Sequence, residues 1–170
     1  IAYKAGRSQK GDDASRFHTG SLAGEYEIWR GALRQGGILE VQSAEELLDT
    51  AKALDSTPLP QGRRMAVLSS QAGPGLIASD RVEAEGLTLS RFSRKTQQRI
   101  NEILPPLAIR SNPVDMGPAW YDPRAIVRIL EAVLEDEGTD GVLFLNMFAS
   151  ANLRLAEGVR EYMERREGLR

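Results

Sequence analysis

His18 is the single histidine among 170 residues, and it stands in Ser15-Arg16-Phe17-His18-Thr19-Gly20-Ser21-Leu22-Ala23-Gly24. Histidine is the side chain whose unperturbed pKa, about 6.5, leaves a neutral imidazole nitrogen able to attack a phosphoryl group at physiological pH. Thr19, Gly20 and Ser21 supply small, donor-rich support beside it, so the segment reads as a polar loop able to carry a phosphorylated ring. Taken alone, a histidine in polar surroundings is equally a surface residue, and the rest of the chain must decide.

A second constellation is Ser69-Ser70-Gln71-Ala72-Gly73-Pro74-Gly75, expected between a strand and a helix. Glycines there let a ligand approach the backbone, and the unpaired amides of a helix start favour an anion. Pro74 has no N–H, so the expected donors are the amides of Gly73, Gly75 and Leu76, helped by the Ser70 hydroxyl. Gly73, Gly75 and Ala78 also fit the G-x-G-x-x-A dinucleotide fingerprint. That fingerprint wants an acid at the end of the second strand, where Ser93 and Arg94 stand; an arginine there would suit the 2′-phosphate of NADP. A tight turn without a ligand is the plain structural reading. A third group is Asn112-Pro113-Val114-Asp115, in which Asn112 and Asp115 are candidates for lining the same strand-end crevice. Its plain reading is an extended turn with Asp115 capping nearby backbone. Trp120-Tyr121 reads as packing.

Other chemistries are excluded. There is no cysteine, hence no disulfide, thiolate nucleophile or cysteine metal site, and one histidine without a carboxylate cluster gives no metal site. Formal net charge is −2, so no strong field draws the chain to nucleic acid or an anionic membrane. No apolar run approaches the roughly 20 residues that span a bilayer, and Ile1-Ala2-Tyr3 gives way at once to Lys4-Ala5-Gly6-Arg7, so a signal peptide is not expected and a cytoplasmic setting is. An opening isoleucine in place of methionine points to a piece of something longer. Paired acids of a receiver domain and the G-x-S-x-G elbow of a hydrolase are both missing.

The elements that must position these groups follow from periodicity. Residues 1–5 read as the end of a strand, followed by a polar loop to about Gly20 and a helix from about Ser21 to Gln35 stopped by Gly36-Gly37. Ile38 to Val41 is a short strand, and Ser43-Ala44-Glu45-Glu46 is a capping box opening a helix with Leu47, Leu48, Ala51 and Leu54 on one face. Ser56-Thr57-Pro58-Leu59-Pro60-Gln61-Gly62 reads as a linker, giving units of 1–55 and 64–170 around residues 56–63. Beyond it strands (Met65–Ser69, Leu87–Phe92, Gly141–Asn146) alternate with helices (Pro74–Glu85, Arg94–Leu104, one from Asp122-Pro123, Leu153–Arg166). That alternation predicts an α/β fold with a parallel sheet, the last strand buried on both faces.

In this order, Lys4-Ala5-Gly6-Arg7-Ser8, His18-Thr19-Gly20-Ser21-Leu22-Ala23-Gly24, Glu45-Glu46-Leu47, Gly73-Pro74-Gly75, Asp80, Gly86-Leu87, Leu104-Pro105-Pro106 and Asn112-Pro113-Val114-Asp115 resemble the NDP-forming (ADP-forming) acyl-CoA synthetases, relatives of succinyl-CoA synthetase. The resemblance covers nearly the whole chain and departs from the family's glycine loop at Gln71-Ala72. It implies two flavodoxin-like three-layer subdomains, the C-terminal part of a first in 1–55 and a second in 64–170. It implies that His18 is the residue phosphorylated from an acyl phosphate or ATP, with the helix at Gly73-Pro74-Gly75 helping to hold the phosphoryl group. CoA, ATP/ADP and Mg2+ would act in the full-length enzyme, with a small carboxylic acid as substrate. A CoA-binding Rossmann domain and an ATP-grasp domain would be its partners, an oligomer is conceivable, and this stretch alone would lack activity. The family also includes acyl-CoA-sensing regions of lysine acetyltransferases, which tend to lack the histidine.

Overall fold

The computed structural model describes residues 1–19, 25–119, 121–146 and 152–167. The chain divides into two compact units, Ile1–Leu59 and Pro60–Arg170, the division falling within the proline-containing segment. Both units are α/β with parallel strands.

In the first unit β1 (Ala2–Tyr3) pairs in parallel with β2 (Glu40–Val41), Ala2 opposite Glu40 and Tyr3 opposite Val41. Between them lie α1 (Gln9–Thr19) and α2 (Tyr26–Gln35). The expected polar loop over residues 6–20 is therefore mostly helix. Ser8 opens α1 by accepting from the Gly11 amide at 3.2 Å, the bond that an N-cap makes to the third helical residue. Helix α2 ends as the glycine pair predicts. Gly37 takes φ +65°, and the Gly37 and Ile38 amides donate to the Arg34 and Leu33 carbonyls, the two bonds of a Schellman stop. Helix α3 (Ala44–Ser56) opens on Ser43, whose hydroxyl accepts from the Glu46 amide at 3.0 Å. The reciprocal Glu46 carboxylate reaches the Gln42 amide at 2.6 Å, one residue before the cap. The face these residues share is open: Leu48 is 70 % and Leu54 47 % exposed. With a two-stranded sheet to cover, Leu33 and Val41 are the buried apolar residues among the described residues of this unit.

In the second unit β3 (Arg64–Ser69) is central. Along one edge it pairs with β6 (Gly141–Leu145), Met65 opposite Gly141 through Ser69 opposite Leu145. The other edge is shared: β4 (Thr88–Leu89) pairs with Arg64 and Met65, and β5 (Val114–Asp115) with Leu68 and Ser69. Side chains of β3 alternate between two cores, as a strand's period of two requires. Met65 and Val67 meet Val82 of α4 (Ala72–Ala84). Ala66 and Leu68 face Ile100 of α5 (Arg94–Ile103), Ile126, Ile129 and Val133 of α6 (Pro123–Leu134), and Leu155 of α7 (Asn152–Glu167). Each fully buried Ile or Leu contributes about 1.5–3 kcal/mol.

Helix α6 begins as its sequence dictates, the Asp122 carboxylate accepting from the Arg124 and Ala125 amides with Pro123 at the first position. Arg64 and Asp140 fasten the starts of β3 and β6 by a two-pronged ion pair at 2.7 and 2.9 Å, while the Arg64 amide donates to the same carboxylate at 2.8 Å. These bonds hold the Asp140 carboxyl down at about 2. Two expectations need correcting. The strand foreseen over Leu87–Phe92 shrinks to two residues, and just beyond it the Ser90 carbonyl accepts from the Asn112 side chain in place of a strand partner. Strand β6 is only partly buried, Leu143 being 37 % exposed, because no described strand pairs with its outer edge.

Candidate functional site

His18 is the next-to-last residue of α1, so its backbone is helical. The side chains of His18 and Thr19, and Gly20 and Ser21 altogether, lie outside the described residues. What positions this helix is described. Gly6, at φ +71°, turns the chain out of β1. A Cβ on Gly6 would stand 3.1 Å from the Ser15 hydroxyl and 3.2 Å from the Gly11 carbonyl, and a Cβ on Gly11 would stand 3.1 Å from the Gly6 Cα. Two glycines thus let α1 lie directly on the turn that launches it.

In the second unit the strand-end turn runs from Ser69 into α4. The helix starts at Ala72, two residues earlier than the sequence suggests, with Gln71 as its N-cap in extended conformation. Because the helix starts early, Gly75 is its fourth residue and its amide already faces the Gln71 carbonyl at 3.4 Å. Leu76 follows at the fifth position, where a helical N–H bonds four residues back. The amides left without intrahelical partners in this turn are those of Ala72 and Gly73. Ser70 is buried, with its amide on the Leu145 carbonyl at 3.0 Å. The Ser69 hydroxyl folds the turn, donating to the Gln71 carbonyl at 2.6 Å and accepting from the Gln71 amide at 3.3 Å.

The two glycines of the motif differ. A Cβ at Gly75 would press on the Ser69 Cβ at 3.1 Å, so this glycine serves close packing of α4 on β3; a Cβ at Gly73 would meet nothing within 4 Å. Gly73 therefore borders open space at the helix start. Helices α3, α5 and α6 carry side-chain caps from Ser43, Ser93 and Asp122, whereas Gln71 makes no side-chain cap bond to α4. This geometry removes the dinucleotide reading. Gly73 and Gly75 sit inside the first turn of the helix, not in a loop ahead of it, and Ser93 and Arg94 are the cap and first residue of α5.

Asn112 and Asp115 separate into different tasks. Asn112 lies where β4 has ended and β5 has not begun. Its Oδ1 accepts from the Val67 amide at 2.9 Å, and its Nδ2 donates to the Met65 carbonyl at 2.8 Å and the Ser90 carbonyl at 3.1 Å. The side chain thus supplies the missing rung of the ladder and has little left for a ligand. Asp115 stands at the end of β5, opposite Ser69 in the ladder, and its Oδ1 accepts from the Gly117 amide at 2.9 Å. Gly117 packs there against the Ser70 carbonyl, 3.3 Å from where a Cβ would stand. Tyr121 is 89 % exposed, contrary to its reading as packing, and Trp120 lies outside the described residues.

Among the described residues no group of three His, Cys, Asp or Glu side chains could hold a metal, and no helix is long and apolar enough to cross a membrane. A groove of about 880 Å3 between α6 and α7 lies apart from the glycine turn. Arg124, Arg128 and Arg154 alternate there with Glu157 and Glu161, as on a solvated helical face.

Comparison with known proteins gives this geometry its context. The family model described as a succinyl-CoA ligase like flavodoxin domain matches residues 1–54. The alpha subunit of an ADP-forming acetate–CoA ligase II from Pyrococcus furiosus is 41 % identical over 145 residues, 82 % of this chain and 30 % of that protein. An ADP-forming acetate–CoA ligase I from Archaeoglobus fulgidus is 40 % identical over 144 residues, 84 % of this chain and 20 % of that one. The solved structure of a dinucleotide-forming acetyl-coenzyme A synthetase 1 from Ca. Korarchaeum cryptofilum, in complex with phosphate and ADP, superposes with a TM-score of 0.83 at 30 % identity. That match covers 96 % of this chain and 35 % of the other. The chain thus spans about a third or less of the length of these relatives. Its two parallel α/β units are flavodoxin-like, and it belongs to the ADP-forming acyl-CoA synthetase family, related to the succinyl-CoA ligases.

Proposed function

We propose that this chain is the phosphoryl-carrying part of an ADP-forming acyl-CoA synthetase, with His18 as the carrier. In the direction of synthesis an imidazole nitrogen attacks the γ-phosphorus of ATP. The N–P bond forms as the P–O bond to ADP breaks, and ADP leaves with the electron pair. A substrate carboxylate then takes the phosphoryl group, restoring the imidazole, and CoA displaces phosphate from the acyl phosphate. A phosphorylated side chain bears about −1.5 to −2 charges, and the uncapped start of α4 is suited to an anion of that kind. Its Ala72 and Gly73 amides point out of the helix end, and Gly73 leaves room for an anion. Ser70 and Gly75 shape the turn, with Leu76 just behind them, and Thr19, Gly20 and Ser21 support the histidine.

Two observations, each within its own unit, support the reading: the lone histidine stands at the end of α1, and the start of α4 is open and uncapped. Retention of His18 favours the enzyme over an acyl-CoA sensor. CoA, ATP and its Mg2+ would be bound by a Rossmann domain and an ATP-grasp domain of the longer protein. The described residues of this chain offer Mg2+ no ligand set.

Incubation of the full-length protein with γ-labelled ATP should deposit acid-labile, base-stable phosphate. His18→Asn should abolish both this label and net acyl-CoA formation. Label persisting in the variant, or none in the wild type, overturns the assignment.

A further inference from the structure

We propose that Arg7 is a positioning residue for His18, a role resting on the carrier function above. Among the described residues, helix α1 makes its close contacts with the turn that precedes it. No strand or helix packs extensively along it among the described residues, and Asp13, Ala14 and Phe17 on its outer turns are exposed, Phe17 by 93 %. Its close contact is with Gly6, through Gly11 and Ser15. His18 lies nine residues along the helix from Gln9, about 13 Å at 1.5 Å per residue. Because Gly11 and Ser15 seat the helix on that turn, turn and helix move together, and a tilt of the pair by about 10° over that length shifts the histidine by roughly 2 Å.

Arg7 clamps that turn. Its guanidinium lies within cation–π reach of two aromatic rings, 5.2 Å from the centre of Tyr3 and 5.5 Å from that of Tyr26. Its Nε donates to the Lys4 carbonyl at 2.8 Å, its Nη2 to the Val41 carbonyl at 2.8 Å, and its Nη1 to the Gln42 side chain. One side chain so joins the end of β1, the end of β2 and the first residue of α2, immediately before Ser8 caps α1. A planar fork that makes three directed hydrogen bonds beside two rings cannot be replaced by lysine, whose ammonium is a compact point charge. Tyr26 is itself fixed by a hydrogen bond to Glu40.

The test is pre-steady-state phosphorylation of the full-length enzyme by γ-labelled ATP, comparing wild type, Arg7→Lys and Arg7→Met. A displacement of about 1 Å at a reacting group costs on the order of a hundredfold in rate. Arg7→Lys is therefore expected to slow labelling of His18 by tenfold or more, with the final stoichiometry and the KM for ATP unchanged. A purely structural role would lower the labelled fraction and leave the rate of the remainder intact. That outcome, or labelling of Arg7→Lys at the wild-type rate, overturns the proposal. Absence of label in the wild type would instead overturn the carrier function, and this proposal with it.

Discussion

Replacing Asn112 with alanine tests the ladder repair in the second unit. The loss can be worked bond by bond. The Val67 amide is fully buried and has Asn112 Oδ1 as its partner at 2.9 Å, so truncation strands a buried donor, costing about 1–3 kcal/mol. The Met65 carbonyl keeps the Ser90 amide at 2.9 Å and loses little. The Ser90 carbonyl gives up one donor at 3.1 Å, adding up to about 1 kcal/mol. The sum, roughly 1–4 kcal/mol, should be read by urea unfolding. Amide exchange at Val67 should be followed alongside, because two units need not unfold together. Asn112→Asp refines the test by keeping the acceptor for Val67 while setting a carboxylate against two carbonyls. Its folded-state pKa should rise, so the variant is most stable below its unfolded value of about 4 and loses stability as pH climbs through the raised one. Asn112→Ala within 0.5 kcal/mol of wild type (about the noise of a surface change), with Val67 still protected, would refute the reasoning.

Gly75→Ala should destabilise the second unit by about 1–3 kcal/mol, since its Cβ would press on Ser69, and thermal unfolding reads this. Gly73→Ala has open space and should be neutral or stabilising by up to about 1 kcal/mol, while weakening phosphate binding at the α4 start, measured by amide shifts on phosphate titration. Asp140 is held at about 2 in the fold by Arg64, below its unfolded value, so its contribution is complete above about pH 4 and fades as pH falls towards 2. Asp140→Asn should flatten that acid limb of the stability curve, seen by chemical denaturation across pH.

The alternating elements of the second unit were legible because β3 and α6 carry unmixed signals: a continuous apolar run, and an apolar stripe behind an Asp-Pro start. Both glycine stops were legible for the same reason, Gly37 and Gly86 each taking positive φ after a helix. Helix α1 was not, since Gln9-Lys10-Gly11-Asp12-Asp13 is rich in poor helix formers and carries no apolar stripe. The available signal was Ser8 as a cap, together with the Gly6 and Gly11 pair that lets a helix lie on its own turn. Asn112 was flagged by its place before Pro113 and Asp115, but its task depends on β4 and β5 sharing one edge of β3. No local pattern encodes that. The exposure of the α3 face was not legible, because periodicity says which residues share a side, not what that side meets.

The start of α4 separates stability from function most sharply. A helix beginning at the end of a central strand would be steadied by an oxygen-bearing cap, and α3, α5 and α6 each have one. Gln71 has the extended backbone of a cap, φ −148° and ψ 143°, without the short side chain that reaches the amides. Aspartate at this position would reach them. Gln71→Asp should then stabilise the second unit by about 0.5–2 kcal/mol through the cap bond and the helix dipole. The same carboxylate would occupy the amides of Ala72 and Gly73 and repel a second anion, so phosphate-induced shifts of these amides should shrink or vanish. In the longer enzyme, labelling of His18 should slow as well. If the variant is stabilised yet binds phosphate as well as wild type, the anion is held elsewhere and the α4 start is only a helix end.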